Sequence, residues 1–198
     1  MKITIIGPGM VGQPIITEAA HRGHTVIAGS RSGRAVPDAA EALALELADT
    51  AALQKVIAHS DVTIIAASPD PVEPVIKAHE NLVKAGFEGR LIVVGGAGSL
   101  VADGVELVDL PDFPEEYKAE ARAFSAVLKA YRTSTDNWTM VCPSPEIAPA
   151  PATGEFMLGG DSPAGNYVST GDFAIAIVNE AEKPRHNNQR FTVATKQI

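Results

Sequence analysis

The stretch MKITIIGPGMVGQPI, residues 1–15, decides the fold of this chain. Residues 3–6 are a short β-branched run that stops at a glycine turn, which predicts a buried strand. Residues 11–21 carry apolar side chains at helical spacing and end just before Gly23, a position that suits a helix C-cap. Residues 25–28 predict a second strand. The first thirty residues therefore predict strand, glycine turn, helix and strand in that order.

The turn between the first strand and the first helix has the spacing GxGxxG. In this context each glycine has a role: Gly7 turns the chain, Gly9 lets the backbone approach a pyrophosphate, and Gly12 permits close helix packing. Free amides at the helix start would bind the pyrophosphate. The predicted cofactor-binding residues of the turn are Gly7, Gly9, Met10, Val11 and Gly12. An empty structural turn is the alternative.

Strands and helices continue to alternate along the chain. Further strands are predicted at residues 43–48, 62–67, 91–94 and 138–142, and further helices at 50–59, 72–85 and 115–131. This alternation is typical of an α/β fold, here a Rossmann-type doubly wound parallel sheet with helices on both faces. The low aromatic content, 5%, fits a core built from aliphatic side chains.

The composition changes after the sixth predicted strand, where residues 143–151 contain four prolines. Such a stretch cannot continue a sheet interior and predicts a linker or a pocket wall. Order resumes in three predicted elements, at residues 156–158, 172–183 and 190–194. We therefore assign residues 1–142 to a dinucleotide-binding Rossmann core. Residues 143–198 form a small C-terminal, substrate-side segment, with the proline-rich loop, that completes the same domain and its pocket.

The end of the second strand predicts which dinucleotide is bound. The sequence there is Gly29-Ser30-Arg31-Ser32, without the acidic residue that would bind the ribose 2′-hydroxyl of NAD. Arg31 can pair with a 2′-phosphate through its planar guanidinium, and Ser30 or Ser32 can donate hydroxyl hydrogen bonds. The sequence therefore favours NADP(H) over NAD(H), with these three residues binding the cofactor. A solvated loop arginine is the alternative.

Small residues follow two other predicted strands, at the edge where open α/β sheets bind ligands. Ala66, Ala67 and Ser68 follow one of these strands, and Gly95 and Gly96 follow the next. Their small size would leave room for a ribose and a nicotinamide, so all five are predicted to line the cofactor site.

Asp49 stands directly before the helix predicted at residues 50–59. Its carboxylate could accept a hydrogen bond from the adenine amino group, or it could cap the helix. The two interpretations are compatible, and Asp49 is therefore kept among the predicted cofactor-binding residues.

Several stretches together resemble one known group of proteins. They are the glycine turn, Arg31 and residues 93–99, 112–117, 137–139, 171–174 and 190–193. The chain resembles the NAD(P)H-binding, NmrA-like branch of the atypical short-chain dehydrogenases, and within it the NADH-flavin reductases related to biliverdin reductase B. The resemblance implies a Rossmann fold, a nicotinamide cofactor and hydride transfer to a flavin, FMN or FAD, or to a quinone.

The sequence departs from this group at two places. The group usually carries a turn of the form GxxGxxG, one residue longer than residues 7–12. In biliverdin reductase B a serine and a histidine flank the substrate. The serine position falls near Gly98 or Ser99, and the histidine position falls near Pro145 or Glu146, where no histidine stands.

Ser99 and Glu146 are the candidate catalytic residues. Ser99 could donate to the nicotinamide amide or to a substrate carbonyl, or it could cap a turn. Glu146 follows the sixth strand at the ligand-binding edge, and a solvated loop glutamate is its alternative. No tyrosine has a lysine four residues later, so ketone reduction by the tyrosine–lysine route is not expected. Hydride transfer to a flavin makes no such demand, because the cofactors carry the chemistry.

Two other functions stay open beside a reductase. NmrA itself binds the dinucleotide without turning it over, so this chain could be a non-catalytic NADP(H)-sensing regulatory protein. It could also be an NAD(P)-dependent epimerase or dehydratase-like enzyme, which would need an acid/base residue that the sequence does not identify. We expect a reductase first, a sensor second and an epimerase third.

Charge and composition limit the expected partners. The formal net charge is −8 and no Lys/Arg cluster occurs, so neither nucleic acid nor an anionic membrane surface is expected as a partner. The expected partner is a small-molecule electron acceptor, and a homodimer is left open. The five histidines are scattered, so no metal site is expected.

The sequence also gives an expectation for the compartment. No segment approaches the roughly 18 apolar residues that span a bilayer, and the N-terminal apolar run is too short for a signal peptide. The single cysteine, Cys142, lies in an apolar run and is expected to be a buried, inert thiol. The protein is therefore expected in the cytoplasm.

Overall fold

The computed structural model describes residues 1–68 and 70–196. Its strands are β1 (Lys2–Ile6), β2 (Thr25–Ser30), β3 (Glu41–Ala44), β4 (Val62–Ile65), β5 (Leu91–Val94), β6 (Val101–Ala102), β7 (Val105–Glu106), β8 (Trp138–Pro143), β9 (Glu146–Ala148), β10 (Phe156–Gly159), β11 (Tyr167–Ser169) and β12 (Gln189–Thr195). Its helices are α1 (Gly12–His21), α2 (Thr50–Ala58), α3 (Val72–Ala85), α4 (Glu115–Tyr131) and α5 (Thr170–Glu182).

Eight of these strands form one central sheet in the order β3-β2-β1-β4-β5-β8-β12-β10. Every neighbouring pair is parallel except the pair of β12 with the edge strand β10, which is antiparallel. The chain runs outward from β1 to β3 and then returns to β4 on the other side of β1. The strand order therefore reverses between β1 and β4, which makes this the topological switch point of the sheet. Open α/β sheets bind ligands at the carboxyl ends of the strands at such a point.

The core consists of two apolar clusters, one on each face of the sheet. Ile15 of α1 and Phe173 of α5 belong to the first cluster. Leu53 of α2, Leu82 of α3 and Leu128 of α4 belong to the second. Adjacent residues of the buried strands point alternately into the two clusters, because side chains alternate along a strand. This arrangement confirms the predicted doubly wound sheet with helices on both faces.

The third strand lies earlier in the sequence than predicted. The expectation was residues 43–48, whereas β3 spans Glu41–Ala44, and the amide of Leu45 already donates to the carbonyl of Ser30 as the strand ends. Three of the four β3 residues are exposed, because β3 is an edge strand held mainly by backbone pairing with β2. Leu45, just past the end of β3, is buried in the same cluster as Leu53 of α2.

The segment after β8 contains more regular structure than predicted. β9 lies inside the proline-rich stretch, between Pro145 and Pro149, and pairs in parallel with β11 in a separate two-stranded sheet. β6 and β7 form a short hairpin that was not predicted. The last predicted strand is confirmed as β12 and pairs with β8 in the main sheet. The division of the chain at residue 142 stays a prediction.

Among the described residues, no helix combines the length and the hydropathy that crossing a bilayer would require.

Candidate cofactor site

The turn after β1 lies directly against the end of β4. Gly7 has a φ of 93°, in the left-handed region that favours glycine. A Cβ at Gly7 would stand 2.7 Å from the amide nitrogen of Ala67 and 2.8 Å from the carbonyl oxygen of Ala66. Both neighbours are backbone atoms, which cannot move aside without shifting β4. Gly7 is therefore required by the turn and by the close approach of two strand ends.

Gly12 is the first residue of α1 and lies against the same turn. A Cβ at Gly12 would overlap the carbonyl oxygen of Gly7. The helix can pack this closely on the strand end only because residue 12 has no side chain, which is the role predicted for the last glycine of the motif.

Gly9 differs from its two neighbouring glycines because no heavy atom lies within 4 Å of its Cβ position. Its amide donates to Gly7 O at 2.8 Å, and its carbonyl accepts from the amide of Gln13 at 2.9 Å. Within the described residues, no hydrogen bond takes the amides of Met10 and Val11, the two residues that precede α1. Open space above a glycine and free amides at a helix start fit a bound pyrophosphate.

The end of β2 forms a polar turn. The hydroxyl of Ser30 accepts from the amide of Gly33 at 3.2 Å, and the hydroxyl of Ser32 accepts from the amide of Arg34 at 3.4 Å. Both serine hydroxyls therefore help to shape the turn. The side chains of Arg31 and Arg34 are exposed, and neither forms an ion pair with a described carboxylate. The turn thus presents two guanidinium groups that are free to bind an anion.

Asp49 caps α2, as one of its two interpretations predicted. Its Oδ1 atom accepts from the amide of Ala52 at 3.0 Å. The carboxylate is exposed, so its second oxygen stays accessible. Its contact with an adenine stays a prediction.

The residues after β4 lie beside the glycine turn. The amide of Ala66 donates to Ile6 O at 2.7 Å, which extends the pairing of β4 with β1. Ala66 and Ala67 are half-buried against the two core clusters, and Ser68 is exposed. All three lie at the carboxyl edge where they were predicted, and their contact with a cofactor stays a prediction.

The glycines after β5 have a different reason to be small. A Cβ at Gly95 would stand 2.7 Å from Cys142 Sγ and 2.8 Å from Met140 Sδ, and a Cβ at Gly96 would overlap the ring of Phe124. The space in front of both glycines is therefore filled by side chains of β8 and α4. The protein's own packing explains why these residues are glycine. Their role in cofactor binding stays a prediction.

Ser99 ends a 3₁₀ turn, Ala97–Ser99, that follows β5. It is 1% exposed, its hydroxyl donates to Gly96 O at 2.9 Å, and Cys142 Sγ lies 3.8 Å away. This environment favours the turn-capping interpretation over contact with a substrate. Cys142 is buried as expected, and burial raises the pKa of its thiol to about 11.

Glu146 begins β9, three residues past the end of β8 at the carboxyl edge of the sheet. Its amide donates to Asn166 O at 2.9 Å, which fixes the backbone. The carboxylate is exposed and forms no ion pair with a described residue. Glu146 is therefore held at the edge where the acceptor would be expected, and its catalytic role stays a prediction.

Sequence reasoning missed the buried carboxylate of Asp172. It accepts hydrogen bonds from the amides of Thr153 and Gly154 at 2.8 and 2.9 Å and from Thr195 Oγ1 at 2.7 Å. Burial raises the pKa of Asp172, but the hydrogen bonds from Thr195, Gly154 and Thr153 outweigh it and hold the pKa below its ordinary value. Asp172 thereby ties the proline-rich loop to α5 and β12. The run Ser169 to Asp172, an N-cap followed by an acid in the first turn, was the available signal.

Comparison with known proteins identifies the class to which this fold and site belong. Residues 7–184 match the sequence profile of the NAD(P)H-binding family. That match spans most of the chain, and the protein belongs to this family. Within the described residues, no group of three or more His, Cys, Asp or Glu side chains could hold a metal ion.

Three individual proteins are similar along nearly their whole length. The uncharacterised protein YwnB of Bacillus subtilis is 35% identical, with 99% of each chain covered. The structure of a candidate NADH-flavin reductase from Streptococcus pneumoniae is 33% identical, covers 99% of this chain and 100% of its own, and superposes with a TM-score of 0.87. The structure of a candidate exported protein from Burkholderia pseudomallei is 37% identical, covers 98% and 99%, and has a TM-score of 0.85.

Proposed function

We propose that this protein is an NADPH-dependent oxidoreductase that reduces a flavin or a quinone. The observation that carries the proposal is the open space at Gly9 beside the free amides of Met10 and Val11. Membership of the NAD(P)H-binding family supports the cofactor, and the name of the similar Streptococcus pneumoniae protein supports the reaction.

The opening turn would hold the pyrophosphate of the dinucleotide. The two free amides carry partial positive charge beside the open space at Gly9, and the positive end of the α1 dipole adds to it. Bound NADPH would supply a hydride. The residues after β4 and β5 would lie under the ribose and nicotinamide, because the second half of a dinucleotide crosses the switch point of the sheet.

Arg31 is the residue that would select NADPH over NADH. It stands at the end of β2, where this fold places the group that reads the 2′ position of the ribose. Because Arg31 has no carboxylate partner among the described residues, its guanidinium can pair with a 2′-phosphate without first breaking an ion pair.

A flavin or quinone suits the tyrosines of this chain better than a ketone does. Tyr131 is fully buried and hydrogen-bonded to His79, and burial raises its pKa above the ordinary value. Tyr117 lies exposed on the first turn of α4, and Tyr167 lies on β11. None of them has the lysine partner of a ketone reductase. Reduction of a flavin needs orientation of two rings more than a protein acid.

We also propose that the protein acts in the cytoplasm on small molecules, without nucleic-acid or membrane partners, and that it can form a homodimer. The net charge of −8 supports the absence of nucleic-acid and anionic-membrane partners. Separation of cell extracts into cytoplasmic and exported fractions tests the location, and the exported fraction would contradict it.

Gly9→Ala tests the cofactor site directly. Because no atom lies within 4 Å of the Cβ position and φ is not positive, the variant should keep its stability within about 0.5 kcal/mol. A methyl group there would block a pyrophosphate, so NADPH affinity should fall about tenfold or more. Gly23→Ala is the control, since its Cβ position is equally open and it lies past the C-terminal end of α1, at the opposite end of the helix from the turn. Its φ of 80° makes alanine cost some stability there, so the control also shows whether a loss of stability alone lowers NADPH affinity. Equal NADPH affinity in both variants would refute the site.

Turnover tests the reaction and the preference. NADPH oxidation with FMN, riboflavin or a quinone should exceed NADH oxidation, and Arg31→Ala should remove that preference, by about tenfold or more. Arg185→Ala is the control, because it removes an exposed arginine near the opposite edge of the sheet. If NADPH binds but no acceptor oxidises it, a dinucleotide-sensing regulatory protein is the better assignment.

A further inference from the structure

Arg190 of β12 is a buried arginine that the proposed reaction does not use. Its side chain is only 1% exposed. One terminal nitrogen donates to both the carbonyl and the hydroxyl of Ser99, the latter at 3.1 Å. Ser99 closes the 3₁₀ turn that follows β5, so this half of the guanidinium holds the backbone that leaves the carboxyl end of β5.

The other half of the same guanidinium holds Asp161, in the loop between β10 and β11. Nε donates to Asp161 Oδ1 at 2.9 Å, and the second terminal nitrogen donates to Asp161 Oδ1 and to its carbonyl oxygen, the latter at 3.2 Å. All five N–H groups of Arg190 therefore have an acceptor. Asp161 also accepts from Arg132, the residue that follows α4, at 2.8 Å, and its carbonyl accepts from the amide of Val101.

The pair of the buried Arg190 with the exposed Asp161 is a poor source of stability, because desolvation of the guanidinium offsets most of the attraction. Its value lies in fixing geometry, since five directed hydrogen bonds allow one arrangement of the groups that accept them. The acceptors of Arg190 belong to two segments: the residues after β5, under the expected nicotinamide, and the loop that leads into β11, the partner of the strand that carries Glu146.

We propose that Arg190 is a positioning residue that fixes the residues 95–99 and the loop 160–166 relative to each other, and so sets where the nicotinamide half of the cofactor lies against the acceptor. This inference rests on the proposed function. Arg190 itself touches neither cofactor nor acceptor in this role. The adenine half of the cofactor, on the β1 and β2 side of the switch point, does not depend on it.

Arg90 provides a matched control at the opposite edge of the sheet. It precedes β5, has the same 6% residue exposure as Arg190, and pairs with the buried Glu180 at 2.9 Å. Its other partners, Asn137 and Thr139, also lie at the amino ends of strands. Substitution of Arg90 should therefore cost stability without affecting the site.

The experiment compares two ligands on each variant, NADPH and adenosine 2′,5′-bisphosphate, which carries only the adenine half. Arg190→Met should lower the affinity for NADPH about tenfold and the affinity for the bisphosphate less than about twofold. It should also lower kcat with FMN, since misplacement of about 1 Å can cost up to 100-fold. Arg190→Lys should restore part of the NADPH affinity. Arg90→Met should lower the thermal midpoint comparably and leave both affinities and kcat unchanged.

Equal weakening of both ligands by Arg190→Met, or the same split in Arg90→Met, would overturn the proposal in favour of a purely structural role. If Arg190→Met does not fold, Asp161→Ala replaces it, because the side chain of Asp161 is 59% exposed and its removal leaves no buried cavity. Asp161→Ala should show the same split between the two ligands, and no split would overturn the proposal.

The failure of the proposed function would look different. Wild-type protein that binds NADPH but reduces no acceptor would refute the reductase assignment, while the binding split would still decide the role of Arg190. Wild-type protein that binds neither ligand would refute both.

Discussion

The opening turn, residues 7–12, and the second glycine run, residues 95–98, both follow a buried strand at the carboxyl edge of the sheet, but their glycines face different neighbours. In the opening turn Gly12 faces backbone, and Gly9 faces open space. In the second run Gly96 faces the ring of Phe124. A glycine that faces open space leaves room for a ligand, whereas one that faces a side chain leaves room for the protein's own packing.

This difference teaches that glycine after a strand is not by itself a sign of a binding site. The two runs look alike in the sequence, and only the atoms opposite each missing Cβ distinguish them. Mutation cannot remove a neighbouring backbone atom, but it can truncate a neighbouring side chain. The two runs should therefore respond differently to an added methyl group and to a compensating truncation.

The largest effect is expected for Gly12→Ala. The added Cβ would overlap Gly7 O, a backbone atom in a turn that is itself held against β4, so the free energy of unfolding should fall by more than about 4 kcal/mol. Urea unfolding measures this loss. A loss below about 1 kcal/mol would show that α1 can move away from the turn, and the distinction between backbone and side-chain neighbours would fail.

Acid should destabilise the packing between α3 and α4, on the side of the sheet that contains Phe124. His79 of α3 bonds Tyr131 of α4 at 3.0 Å, and burial lowers the pKa of His79 from 6.5 to about 4. Between these values the unfolded chain binds the proton and the folded protein does not, so stability falls as the pH falls from 6.5 to 4. This single group should account for about 3 kcal/mol of that loss.

His79→Gln removes this titration while keeping a polar side chain beside Tyr131. Urea unfolding of the variant at pH 7 and pH 4 should show a smaller loss than the wild-type protein. Hydrogen exchange at pH 4 should increase first in α3 and α4, before it increases in α1. An equal loss in both proteins would show that His79 does not govern the acid response.

A smaller effect is expected for Gly96→Ala, about 2 kcal/mol, because the added methyl group displaces a side chain and not the backbone. Phe124 is half-buried, so the protein should tolerate its substitution by a smaller residue. Gly96→Ala should therefore destabilise a Phe124→Ala background less than it destabilises the wild-type protein. A double-mutant cycle measures this coupling. Additive losses would contradict the assignment of Phe124 as the neighbour that requires Gly96.

Much of the fold could be predicted because its signals are local. The run from β1 to β2 predicted strand, turn and helix correctly, since burial on both faces requires a continuous apolar strand and the turn requires glycine. β3 was placed too late because an edge strand is held by backbone pairing, which leaves no pattern in the side chains. β9 and β11 were missed because strands of three residues are too short to show periodicity.

The candidate site could be predicted at those positions where the residue type has a single physical explanation. The roles of Gly7 and Gly12 follow from their spacing, and the structure provides the close approaches those roles require. Gly96 and Ser99 could not be interpreted in this way, because a small or hydroxyl-bearing residue at a strand end serves packing and binding equally well. Their neighbours, Phe124 and Arg190, are distant in the sequence.

The sequence by itself determined the parallel sheet, the opening turn and the presence of an arginine, Arg31, at the end of β2, because each depends on residues adjacent in the chain. Only the tertiary structure decided which glycines face open space and which residue connects the two sides of the site. Arg190 and Ser99 are 91 residues apart. A contact across that separation is set by the strand order of the sheet, and no local pattern encodes it.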